Sequence, residues 1–372
     1  MKKYAIFFPQ FHRVKVNDDA WGCGFTDWAL VATANAFDYW TRRAPACGFY
    51  DLSKSNEIQT RFEEAANAGL DGFGIYHYRF EDGPELVAVE DYLRLAKLPE
   101  KFGIFFIWAN ESWSRRWAGR DTELLKTVSA TPSCDDIRAH VNYLKPFMLS
   151  KHYTKMEGKP IFVIYRPEFF KDPIKTLTSY RDEFKKAGLD PVIGYFLKGA
   201  SDVEFSKIFD FCYLFEPRLF FSFNGARNSR VLTSVFRKLI HMVSYSKVEY
   251  ASKLVNKLSN RKSKSHSFSK FLAYFNSDER KHVVDALKCP VQNVLTSGWN
   301  NSPRYRDQYT AVEVPSADEF ASMLTISLHA SGCTENLPLL CNAWNEWSEG
   351  AAIEPCSYLG DALLKSYVGS KK

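Results

Sequence analysis

Two glutamates three residues apart, Glu346 and Glu349, stand in the run Asn342-Ala343-Trp344-Asn345-Glu346-Trp347-Ser348-Glu349-Gly350. A carboxylate beside large aromatics is costly to keep charged, so a structural segment gains little from this composition. A site that grips a sugar gains much more. Indole faces stack on the apolar faces of pyranose rings, amides bind hydroxyls, and two carboxyls in different protonation states move protons at an anomeric centre. Glu346 and Glu349 are therefore the candidate catalytic pair. Trp344, Asn345 and Trp347 are candidate substrate contacts. The plainer alternative is a pair of surface glutamates, one of them capping a helix.

Other polar and aromatic residues sit where apolar runs end. His12 follows the first run, His77 and Tyr78 close the second, and Trp108, Asn110, Glu111 and Trp113 close and follow the third. Arg166 follows the fourth, and Trp299 with Asn300 the seventh. Trp28 lies with Asp27 in a loop rich in glycine and tryptophan, from Trp21 to Trp28, suited to lie over a pocket. All are candidate sugar ligands, each with a structural alternative. His12 and His77 could be satisfied core histidines. Glu111 could pair with Arg115 or Arg116, and Trp113 and Trp117 could be lid packing. No further close ligands accompany the histidines, so no catalytic metal is expected, and no cofactor.

Eight short apolar runs could position these residues: Tyr4–Phe8, Gly72–Tyr78, Phe102–Trp108, Ile161–Tyr165, Pro191–Phe196, Phe209–Phe215, Val291–Leu295 and Leu339–Trp344. Helical patterns separate several of them, from Asn56 to Ala68 with Gly69 at its end, and from about Pro84 to Lys97. Strands that alternate with helices predict a parallel sheet with helices outside it. Eight such units predict an α/β fold, a (β/α)8 TIM-type barrel, with residues 1–372 as a single catalytic domain. An open doubly wound sheet is the alternative, but no strand is followed by a phosphate-binding glycine motif. In a barrel the carboxyl ends of all eight strands converge on one face, which gathers the residues named above into one aromatic, carboxylate-bearing pocket.

Residues 225–290 differ in texture. Lys and Arg outnumber acids there, and Asn260-Arg261-Lys262-Ser263-Lys264-Ser265 is a polar basic run. This predicts a basic helical insertion between strands six and seven. The plainer reading is a solvated excursion. The sharper one is a basic surface for anionic lipid, a lipid-linked glycan or a polyanionic acceptor, peripheral to the inner membrane.

The bulk properties narrow the class. The chain has 372 residues, with 45% hydrophobic and 25% charged, as expected of a globular protein. Aromatic content is 16%, although much of it is Phe, a core residue. A net charge of +6 is too mild at this length to indicate nucleic acid as a partner. No apolar run reaches the roughly 18–20 residues a transmembrane helix needs. The start, Met1 to Gln10, is too short in its apolar run for a signal peptide. Eight cysteines without a close C-x-x-C pair fit a reducing compartment, and a cytoplasmic location is expected.

Taken together, the motifs resemble a known family. Phe8-Pro9-Gln10-Phe11-His12, Trp21 to Trp28, Asp71 to Tyr78, Trp108-Ala109-Asn110-Glu111, Gly158-Lys159-Pro160, Gly298 to Arg304 and Ala343 to Gly350 resemble the WbsX-type family, in order along the chain. Its members are described as glycosyltransferases of lipopolysaccharide O-antigen or capsule biosynthesis. That family is similar to glycoside hydrolase family 99, the endo-α-mannosidases, which are (β/α)8 barrels. There a similar N-E-W-x-E-G motif carries two catalytic carboxylates. The resemblance implies that Glu346 is the base that takes the proton from a sugar 2-hydroxyl, which attacks C1 to give an anhydro-sugar. It implies that Glu349 protonates the departing oxygen and then activates the incoming water or alcohol. The expected function is that of a glycosidase or transglycosidase on a bacterial surface polysaccharide. A glycosyltransferase and a non-catalytic carbohydrate-binding barrel are the alternatives.

Overall fold

Apolar runs short enough to be strands, buried on both faces, become parallel strands only if helices cover one side and a second layer fills the other. A computed structural model describes residues 1–35, 44–115, 120–227, 263–305, 309–330 and 332–369. It shows how the eight runs do this. They form strands β1 (Lys3–Phe7), β2 (Gly72–Phe80), β3 (Gly103–Trp108), β4 (Lys159–Ile164), β5 (Val192–Leu197), β6 (Phe211–Phe215), β7 (Val291–Thr296) and β8 (Leu339–Asn342). Each pairs in parallel with the next, and β1 pairs with both β2 and β8, which closes the ring. At the seam Lys3 stands opposite Leu339, and Tyr4 opposite Gly72. The expected (β/α)8 barrel is the observed fold.

Helices lie between the strands. Ser55–Ala68 follows the first, ended by Gly69 at φ 107°, where the left-handed region favours glycine. Cys134–Met148 follows the third, opened by a capping box in which Ser133 and Asp136 bond each other's backbone. Pro173–Lys186 follows β4, Ala317–Leu328 follows β7, and Ala362–Val368 follows β8. One predicted helix differs. The chain after β2 first makes a short strand, Gly83–Glu85, antiparallel to the end of β2, and the helix is only Ala88–Leu95. Tyr78 pairs with Glu85 there, so strand pairing takes the residues that Pro84 suggested would start a helix.

Strand alternation divides the barrel strictly. In β2, Gly72 and Gly74 face the interior. A Cβ on Gly72 would lie 2.5 Å from the Tyr4 ring, and one on Gly74 2.9 Å from Phe105. Phe73 and Ile75 lie on the other face, and Phe73 packs on Phe62 of the outer helix at 5.0 Å. The interior itself is aromatic. Phe105 and Tyr213 stack with centroids 6.4 Å apart, and Tyr4 stacks on Phe105 at 6.1 Å.

The helices Arg218–Arg227, Phe268–Phe275 and Asp278–Ala286 lie between β6 and β7. The most basic part of the predicted insertion, 228–262, lies outside the described residues, as does Trp117. Among the described residues no helix is long and apolar enough to cross a membrane. All eight cysteines are free thiols.

Candidate active site

The inward side chains at the carboxyl ends of the strands open into a cleft of about 1320 Å³. Tyr76 and Tyr78 of β2, Tyr165 after β4 and Phe215 of β6 continue the inward ladders and line it. Tyr165 meets Tyr76 edge to face at 5.9 Å and Phe215 at 5.6 Å. Phe8, Trp113, Glu346 and Glu349 complete this part of the lining.

The two glutamates are set by a small hairpin. Asn345–Glu346 pairs antiparallel with Ala351–Ala352, and the 3-10 turn Trp347–Glu349 joins them. Gly350 closes the turn at φ 65°, and a Cβ there would press 3.0 Å from the Asn300 backbone nitrogen. Spaced three apart across that turn, both carboxylates reach one guanidinium. Arg304 Nη1 donates to Glu349 Oε1, and its Nη2 lies 3.6 Å from Glu346 Oε2. The same Nη2 donates to Asp27 Oδ2 at 3.0 Å, and Ser348 Oγ donates to that oxygen as well. Asp27 is fully buried, and Glu346 is 5% exposed. Three loops, after β1, β7 and β8, thus meet at Arg304.

Burial first, and then the Glu349 charge, push the Glu346 carboxyl well above the usual carboxylate range, with Arg304 opposing. For Arg304 burial acts downward, but Glu349, Asp27 and Glu346 outweigh it and hold the guanidinium more firmly charged than usual.

A buried network holds the hairpin from behind. Trp347 Nε1 donates to Glu354 Oε2 at 2.7 Å, and the Tyr50 hydroxyl donates to the same oxygen at 3.0 Å. Arg61 Nε lies 3.4 Å from Glu354 Oε1. Burial pushes the Glu354 carboxyl up to about 7, with Arg61 opposing. Asn345 ties the hairpin to the first strand's loop: its Oδ1 accepts from Phe8 N at 2.7 Å, and its Nδ2 donates to Phe8 O at 3.0 Å.

The predicted site residues divide by strand parity. Tyr78, Glu111, Trp113 and Arg166 line the cleft with Glu346 and Glu349. His77 alternates with Tyr76 and Tyr78 and so points outward. Its Nδ1 bonds Glu90 at 2.8 Å and its Nε2 bonds His140 at 2.9 Å, in a relay that His140 extends to Tyr180. Trp108 likewise faces out, against His140 and Tyr180. Trp344 is fully buried and packs on Phe73 at 5.5 Å. Trp347 is spent on Glu354, and Asn345 on Phe8. Trp28 is sandwiched between Phe11 and Phe49 and donates to Tyr50 O. His12 is buried off the cleft, and burial lowers its pKa. Asn110 braces two strand ends, bonding Arg166 N at 2.7 Å and Arg166 O at 2.8 Å. Asn300 caps its own turn by accepting from Ser302 N. Trp299 is 2% exposed, its ring covered by the Arg218 guanidinium at 4.8 Å. A residue at a strand's carboxyl end is therefore not enough; its side chain must also have inward parity.

Glu111 pairs with Arg166, and Arg166 also pairs with Glu168 at 2.9 Å; the other partner the sequence offered for Glu111, Arg116, lies outside the described residues. Lys198 lies 3.2 Å from Glu168 and donates to the Tyr165 carbonyl. Arg304, Arg218, Lys198 and Tyr76 were not singled out as individual side chains from sequence. Tyr76 was accessible by parity, two residues before Tyr78. Arg304 and Arg218 were not, because nothing local tells which acids they will meet. Among the described residues no group of three or more His, Cys, Asp or Glu side chains is gathered as a metal site requires.

Comparisons with known proteins agree with this architecture. The barrel is similar to the solved GH99 endo-alpha-mannosidase from Bacteroides thetaiotaomicron, with a TM-score of 0.54 at 12% identity, covering 98% of this chain and 95% of that one. It is also similar to a solved glycoside hydrolase-like protein, with a TM-score of 0.53 at 14% identity, over 88% and 90% of the two chains. At such identities the likeness is one of fold. In sequence the chain is 27% identical to the uncharacterized protein WxcX of Xanthomonas campestris pv. campestris, over 97% of this chain and 48% of that protein. The chain thus spans about half the length of the curated relatives it matches. The family model described as Glycosyltransferase WbsX matches residues 3–367, so the chain belongs to this family of carbohydrate-active proteins.

Proposed function

We propose that this chain is an enzyme acting on glycosidic bonds of a bacterial surface polysaccharide, with Glu346 and Glu349 as its catalytic carboxyls. One observation carries the reading. Both glutamates project into an aromatic-lined cleft and meet the same guanidinium, Arg304, from a hairpin anchored behind by Glu354. Two carboxyls in one site with unlike surroundings are the arrangement that divides acid from base. Tyr76, Tyr78 and Trp113 offer ring faces and edges for a pyranose.

In the scheme that the family 99 resemblance implies, Glu346 takes the proton of the sugar 2-hydroxyl as that oxygen attacks C1, while Glu349 protonates the leaving oxygen. The anhydro-sugar is then opened at C1 by water or by a sugar hydroxyl, whose proton Glu349 accepts while Glu346 returns its proton to O2. Burial makes Glu346 a stronger base once it is ionised, which suits abstraction from a weakly acidic hydroxyl. Glu349→Gln is expected to lower turnover about 100- to 10,000-fold, the usual worth of a positioned acid–base group. Its melting temperature should stay near that of the wild type. Full activity in a folded variant would remove the assignment.

The family's description favours a second reading, transfer to an acceptor sugar. The same intermediate serves both outcomes. Mass spectrometry of products formed from defined oligosaccharides, with and without nucleotide-sugar donors, separates them. A donor requirement would favour the transferase.

A further inference from the structure

Among the described residues four cations line the cleft: Arg166, Lys198, Arg218 and Arg304. Three are committed. Arg304 holds Asp27, Glu346 and Glu349, Arg166 holds Glu111 and Glu168, and Lys198 holds Glu168. Arg218 differs. It is exposed to the cleft and forms no ion pair among the described residues. It is nonetheless held in place, because its guanidinium lies 4.8 Å over the face of Trp299, itself buried. An indole under a guanidinium fixes its plane and leaves its N–H groups directed outward, preorganised for a two-oxygen anion. Arg218 also stands near the reacting pair, since its charge is felt at Glu346 and it in turn feels Glu349.

We infer that Arg218 recognises an anionic group on the glycan, a carboxylate or a phosphate ester, carried by a sugar at or next to the bond that the glutamates act on. The inference rests on the functional reading above and deepens it from polysaccharide to acidic polysaccharide. A neutral glycan would leave this guanidinium without a direct ion-pair partner, beside two acids that already share Arg304. An acidic sugar supplies that charge and orients the ring against Tyr165 and Tyr76.

The test is binding of the full chain to an array of bacterial polysaccharide oligosaccharides that includes neutral, uronic-acid and phosphate-bearing members. Wild type and Arg218→Gln are compared, with circular dichroism and melting temperature as folding controls. Wild type should prefer acidic members, and added salt should weaken that preference. In Arg218→Gln the ratio of acidic to neutral affinity should fall about 10- to 100-fold, the worth of one charge-assisted pair. Arg218→Lys should keep part of it. The methyl ester of a bound uronic-acid member distinguishes the sources: lost binding identifies a carboxylate, and retention only of phosphate members identifies a phosphate. If wild type binds neutral members as well as acidic ones, or if the preference survives in a folded Arg218→Gln protein, the inference falls while the functional reading stands. If no glycan binds, both fall.

Discussion

At the scale of single residues, Arg304 decides how the two acids share charge. It bonds Glu349 directly and stays 3.6 Å from Glu346, whose Oε2 makes no hydrogen bond among the described residues. Burial, and then the neighbouring Glu349, raise the proton affinity of Glu346. If Glu346 is the base, activity requires its ionised form and fails as pH drops through its raised pKa. The acidic limb of the kcat/KM profile should therefore lie above the ordinary glutamate value of 4.5. A limb at that ordinary value would mean that Glu346 does not govern the rate.

At the scale of elements, the unit that matters is the hairpin from Asn345 to Ala352 and the buried carboxyl behind it. Glu354 has a folded pKa of about 7 against an ordinary value of 4.5. Between those values the folded chain holds a proton that the unfolded chain has lost. Its contribution is fully present below 4.5 and is lost as pH rises through 7. At about 1.4 kcal/mol per pH unit the swing is on the order of 3 kcal/mol. Glu354→Gln keeps an acceptor for Trp347 or Tyr50 but cannot titrate. Urea unfolding at several pH values should show a flatter decline between pH 5 and 7 in the variant than in the wild type. Equal slopes would show that Glu354 is already ionised beside Arg61. Because the network orients the hairpin, the variant should also lose kcat more than it gains KM.

At the scale of the whole molecule, closure of the ring depends on small residues facing large ones across the barrel floor. A Cβ on Gly103 would stand 1.9 Å from the Tyr4 hydroxyl oxygen and 2.8 Å from Thr154 Oγ1, two groups bonded to each other at 2.8 Å. Gly103→Ala should destabilise the chain by about 1–3 kcal/mol or more, measured by urea denaturation. Adding Tyr4→Phe removes the nearest atom and should recover part of that loss, a non-additivity expected only of residues in contact. The seam is sealed from below by the Tyr367 hydroxyl, placed 2.9 Å from Tyr4 O and 2.8 Å from Leu339 O. Floor and seam are far from the cleft in role, and they keep eight loop ends in register above it.

The sequence by itself determined the number of strands, their parallel order and the convergence of their ends, because apolar runs alternating with helical patterns are local properties of the chain. It also singled out Glu346 and Glu349, since two acids among tryptophans are conspicuous wherever they fold. Strand parity was present too, and it separates Tyr78 from His77 and Trp108 without coordinates. Only the tertiary structure decided that Trp28, Trp344, Trp347 and Asn345 build the wall while Arg304 and Arg218 face the cleft. A side chain's role is set by which partners satisfy it, and Asp27, Arg304 and Glu349 come from three loops brought together only when the barrel closes.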